Sequence, residues 1–126
     1  MKKFLLVSVI VLFLAACGES KGASTVHENI SEDMANDTEQ ILNTMDTAIE
    51  ENRSLSEHEL SVFNHYLAEY NGKKDVGNLT GEEEILLITT SKIVETPEIY
   101  MTLESDKENY ETLKTQIQNI IKTGEF

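Results

Sequence analysis

The sequence predicts an all-α fold, a small bundle of about four helices, and three observations predict it. Apolar residues recur at steps of three, four and seven through most of the chain after residue 25. Pairs of the capping-box type punctuate those stretches: Ser56 with Glu59, Thr80 with Glu83 and Ser105 with Glu108. The chain of 126 residues has one proline, no tryptophan and few turn clusters, which suits helices joined by short connections.

At the start, Lys2 and Lys3 precede an apolar stretch from Phe4 to Leu14, broken only by Ser8 and followed by Ala15, Ala16 and Cys17. A basic start, a short greasy run and small residues follow the plan of an export signal. The run is shorter than the roughly 20 residues a transmembrane helix needs. The segment Leu14-Ala15-Ala16-Cys17 resembles the lipobox of bacterial lipoproteins. The resemblance implies cleavage before Cys17, a diacylglyceryl group on its sulfur and, as an optional addition, an N-acyl chain. Ordinary secretory cleavage is the alternative and would leave Cys17 as a free thiol. The lipobox reading divides the chain into a signal peptide over 1–16, a lipidated flexible tether over 17–24 and an acidic helical domain over 25–126. Gly18 to Ser24 is small and polar, as a tether requires. Two acyl chains hold a protein at a membrane where one binds only reversibly.

The first helix is expected from about Thr25 to Asn52, with Ile30, Met34, Ile41, Leu42, Met45, Ala48 and Ile49 on one stripe. Its first part is the weakest, since little that is apolar separates Met34 from Ile41. Ser56 and Glu59 open the second helix, and Leu55 can pack on Leu60 across the cap as a hydrophobic staple. Leu60, Phe63, Leu67 and Tyr70 form its expected buried stripe, with Val62 and Tyr66 beside them. Asn71-Gly72 is expected to end it, leaving 71–79 as a loop. Thr80 and Glu83 open the third helix, and Glu82-Glu83-Glu84 favours the dipole of its first turn. Ile85-Leu86-Leu87-Ile88 is apolar all round, which places this helix mid-bundle. A buried strand over 85–94 competes, because short apolar runs are ambiguous. Thr96 is expected to cap a short turn that opens on Pro97 and runs through Tyr100. Ser105 and Glu108 open the last helix, with Tyr110, Leu113, Ile117, Ile120 and Ile121 inward.

The formal charge is −13; losing residues 1–16 removes two lysines and no carboxylate, leaving −15. Such a body repels nucleic acid, whose binding requires lysine and arginine against phosphate, and anionic lipid headgroups. The expected partners are the membrane, through the anchor, and a membrane or surface protein with a basic face. Cys17 is the only cysteine, so no disulfide within the chain is possible. His58-Glu59-Leu60-Ser61-Val62 begins like a zinc-protease motif, but its second histidine position is Val62. His58, His65 and Glu69 fall on related turns of the second helix, short of the three or four converging ligands a zinc site needs. Neither a glycine-rich phosphate loop nor a G-x-S-x-G nucleophile is present. The expectation is therefore a non-enzymatic protein with no catalytic residue, no metal ligands and no cofactor beyond the lipid on Cys17. Tyr66 and Tyr70, one turn apart beside Lys73 and Lys74, are the candidate interaction surface, tyrosine being suited to interfaces. The bland alternative keeps their rings at the core edge with hydroxyls in water.

In size and layout the whole chain resembles small surface lipoproteins of Gram-positive conjugative elements or prophages. The composition agrees, with nine lysines to one arginine. The resemblance implies a location on the extracytoplasmic face of the cell membrane. It also implies action through protein–protein interaction, including exclusion or inhibition of a conjugation or phage-entry machinery. Only Cys17 carries over at residue level. The alternatives are a small lipoprotein binding a peptide, a cation or a cell-wall component, and an accessory or inhibitory subunit of a membrane enzyme.

Overall fold

The computed structural model describes residues 25–126. Residues 1–24, where the signal peptide, the lipidated Cys17 and the tether are expected, lie outside the described residues. Four α-helices and one 3₁₀ turn make up this part, with no strand among the described residues. They are α1 (Glu32–Glu50), α2 (Glu57–Asp75), α3 (Gly81–Val94), the 3₁₀ turn (Pro97–Met101) and α4 (Glu104–Thr123). The all-α expectation holds, and residues 85–94 are helix rather than strand.

The sharp starts of α2 and α3 come from side-chain chemistry within four residues. Ser56 Oγ accepts from Glu59 N–H, and the Glu59 carboxylate accepts from Ser56 N–H at 2.8 Å. Thr80 and Glu83 make the same reciprocal pair at 3.1 and 3.0 Å. Leu55 is buried before the Ser56 cap, as the staple requires.

Three boundaries depart from the sequence reading. First, α1 begins at Glu32, not near Thr25. Ser31 caps it, and the preceding residues are drawn away toward α4, where His27 N–H donates to the Ile121 carbonyl at 2.7 Å. Second, α2 runs past Asn71-Gly72 to Asp75. A mid-helix glycine costs about 1 kcal/mol against alanine. Here Lys73 donates to Glu69 one turn back at 2.8 Å, and its ammonium sits 4.7 Å from the centre of the buried Tyr70 ring. The chain turns only at Gly77, whose φ of +72° is left-handed. Its N–H and that of Asn78 close on the Lys74 and Lys73 carbonyls. Third, Ser105 lies inside α4 and makes no capping box. The 3₁₀ turn delivers the chain two residues early, so Leu103 rather than Ser105 is the cap and its carbonyl accepts from Asp106 and Lys107. Thr96 likewise makes no side-chain cap to the 3₁₀ turn.

α3 and α4 form the most intimate pair, α2 flanks α3, and α1 touches each of the other three helices. Met34, Ile41, Leu42 and Met45 of α1 meet Phe63 of α2, Leu86, Leu87 and Ile93 of α3, and Ile117, Ile120 and Ile121 of α4. Thr89 and Thr90 are fully enclosed on α3. Thr90 Oγ1 approaches the Tyr66 phenol without reaching hydrogen-bonding geometry. α3 is not mid-bundle all round, since Ile85 and Ile88 are 38% and 52% exposed.

The opening turns of α1 and α3 are laced together. Glu83 is 7% exposed and serves two helices. One carboxylate oxygen closes its own capping box, while the other accepts from Ser31 N–H, the cap of α1, at 2.9 Å. Thr80 Oγ–H donates to the Asn29 carbonyl at 2.6 Å, and Asn29 Nδ2 donates to Glu82 at 3.0 Å.

Candidate functional site

The two tyrosines of the candidate interaction surface are in the core, where the expected buried stripe places Tyr70. Tyr66 and Tyr70 are both buried, with ring centres 4.7 Å apart. Their hydroxyls face α1 rather than water. Tyr66 Oη lies 3.0 Å from Thr38 Oγ1, and Tyr70 O–H donates to Asp37 at 2.6 Å. Burial, then the Asp37 carboxylate beside it, pushes the Tyr70 phenol far above its ordinary value; burial also raises Tyr66. Lys73 and Lys74 are half-buried in the last turn of α2, not in a loop. Tyr66, Tyr70, Lys73 and Lys74 therefore do not present an aromatic contact patch. The spacing of the tyrosines was readable in sequence. Helical spacing signalled the inward ring of Tyr70; the hydroxyl partners, Thr38 and Asp37, lie some thirty positions earlier in the chain, which no local pattern signals.

These clamps fasten a helix of unusual charge. α1 carries Glu32, Asp33, Asp37, Glu39, Asp46 and Glu50 and no basic residue. Two of the six are used internally. Asp37 takes the Tyr70 hydroxyl. Asp46 takes Lys114 Nζ on both oxygens, at 2.9 and 2.8 Å, and the Tyr110 hydroxyl at 2.8 Å. Glu32, Asp33, Glu39 and Glu50 have no ion-pair partner among the described residues.

Between α1 and α2 runs a groove of about 430 Å³. Ile41, Val62 and Tyr66 form its floor; Asp37, Glu69 and His65 stand at its rim. The Glu69 carboxyl is held below its ordinary value by Lys73. A second recess along α1, lined by Glu39, Asn43, Thr47 and Glu59, shares Gln40 with the first. The two recesses adjoin at Gln40, and acidic side chains line both.

The shifted carboxyls among the described residues titrate lower than usual, and the shifted phenols higher. A general acid or base at neutral pH needs the opposite, a value drawn toward 7. His58 and His65 are exposed on α2, with His65 Nε2 3.5 Å from Glu69. His27 packs against Gly124 at the far end of α4. Among the described residues no three such side chains converge as metal ligands, and no helix is long and apolar enough to cross a membrane. No protein-family model, curated protein or solved structure matches the chain.

Proposed function

We propose that this chain is a lipid-anchored extracytoplasmic protein. It acts without catalysis, by binding another protein at the cell surface and blocking a conjugation or phage-entry machinery. The observation that carries the reading is the Leu14-Ala15-Ala16-Cys17 segment behind a basic, apolar leader. Two features support a binding role. α1 carries six carboxylates and no basic residue, four of the six without an ion-pair partner among the described residues, and the groove beside it has room for a side chain or a peptide segment. Opposed charge speeds encounter and suppresses wrong partners more than it adds affinity, so a basic partner face fits this surface.

Two measurements test the proposal. Cells fed radiolabelled palmitate should label the chain, and Cys17→Ser should abolish the label; equal label in both ends the anchoring claim. Expression in a recipient should lower conjugation or infection, and Cys17→Ser should undo the effect. Unchanged transfer across several elements ends the exclusion claim. The apolar floor and acidic rim of the groove between α1 and α2 favour a second reading, capture of a cationic peptide, which predicts a saturable thermal shift with lysine-rich peptides.

A further inference from the structure

Among the described residues, α3 is the one α-helix that carries large exposed apolar side chains within its span; Val76, Ile99, Leu103 and Phe126 are exposed outside the four α-helices. Ile85 and Ile88 stand exposed there, in a chain whose other helical faces are mainly polar outside. Glu84 lies four residues before Ile88 and Lys92 four residues after, so all three share one side of the helix. Neither Glu84 nor Lys92 has an ion-pair partner among the described residues. At eight residues apart, about 12 Å along the axis, they are too distant to pair with each other. Lys92 instead rests 5.7 Å from the centre of the Phe126 ring, which is itself 67% exposed.

This order, negative then apolar then positive, is complementary to itself when reversed. We propose that α3 pairs with α3 of a second copy, antiparallel, about a two-fold axis passing by Ile88. In a two-fold contact residue i meets j and j meets i. Ile88 meets the partner's Ile88, Glu84 meets the partner's Lys92, and Lys92 meets the partner's Glu84. Gly81 falls opposite the partner's Glu95, and open space surrounds the position where a Gly81 Cβ would stand. Two chains of charge −13 repel each other over most approaches. Self-contact is thereby confined to a face whose own charges cancel across the axis. One short helix pair covers less than the roughly 1,200 Å² of a stable interface, so the association is weak and reversible. It does not depend on the lipid at Cys17.

The test uses the full chain in membranes. Ile88→Cys puts a thiol beside the proposed axis, and Ile99→Cys puts one at an equally exposed site outside α3. The parent chain, with Cys17 alone, gives the background. Under mild oxidation Ile88→Cys should form a covalent dimer on a non-reducing gel, well above the Ile99→Cys and parent levels. Placed on that background, Glu84→Lys or Lys92→Glu sets like charges against each other at both ends and should cut the dimer about tenfold. Combining the two restores the opposed pairs and should restore the dimer. The inference is overturned if Ile88→Cys couples no more than Ile99→Cys or couples to a different protein. It is equally overturned if the double swap fails to rescue either single one.

Discussion

Glu83 shows how much one side chain can hold. Its burial pulls the carboxyl upward, yet the backbone N–H groups of Ser31 and Thr80, with the Ser31 hydroxyl, outweigh that and leave it below the ordinary carboxylate value. Glu83→Gln keeps the shape but turns an amide donor toward a backbone donor, so one of two charge-assisted bonds is lost. The expected cost is about 2 kcal/mol, read as a lower urea midpoint with an unchanged slope. Two glycines separate backbone strain from crowding. Gly77 and Gly124 both have left-handed φ, but a Cβ at Gly77 meets open space while one at Gly124 meets the His27 ring at 3.0 Å. Gly77→Ala should cost about 1 kcal/mol, and Gly124→Ala clearly more; equal losses by denaturant titration would show that the His27 contact is soft. The residue scale is also where sequence was least readable. The Ser56 and Thr80 caps were legible because both partners lie within four positions. The second bond of Glu83, to Ser31, spans 52 positions and has no local trace.

At the scale of elements, α2 is the instructive case. Its start was readable and its end was not. Asn71-Gly72 has the composition of a helix stop, but the Glu69–Lys73 bond and the seating of Lys73 over Tyr70 carry the helix one turn further. If that account holds, Gly72 is an ordinary exposed helical position with nothing near its missing Cβ. Gly72→Ala should then stabilise the protein by about 1 kcal/mol, seen as a rise in the thermal midpoint, whereas a true helix stop would lose stability. α3 teaches the converse. Its apolar run suggested enclosure on all sides, and burial claimed Leu86, Leu87 and Ile93 but left Ile85 and Ile88 outside. Hydropathy distinguishes apolar from polar, but the side on which neighbours sit is a property of the assembled bundle. The candidate surface failed for the same reason: the tyrosines of α2 were correctly spaced but directed inward by Thr38 and Asp37 on another helix.

Across the whole molecule, acid should unfold this bundle through a small set of carboxylates. Arg53 beside it, with the Ser56 backbone, holds the Glu59 carboxyl down to about 2, and Glu83 is also lowered. In the unfolded chain both titrate near about 4.3. The unfolded state therefore takes up protons first as pH falls. The stability these two contribute is complete above that range and drains as pH drops from about 4 toward 2. Urea midpoints measured across pH 2–6 should fall in this window, and Glu59→Gln should flatten the fall. The lacing of Ser31, Asn29, Thr80 and Glu83, with His27 tied to Ile121, has a mechanical consequence. Any pull transmitted through the residues before Thr25 arrives first at this corner, where the load is shared among α1, α3 and α4. A leash drawn taut would thus strain several cross-ties at once instead of peeling the first helix off turn by turn.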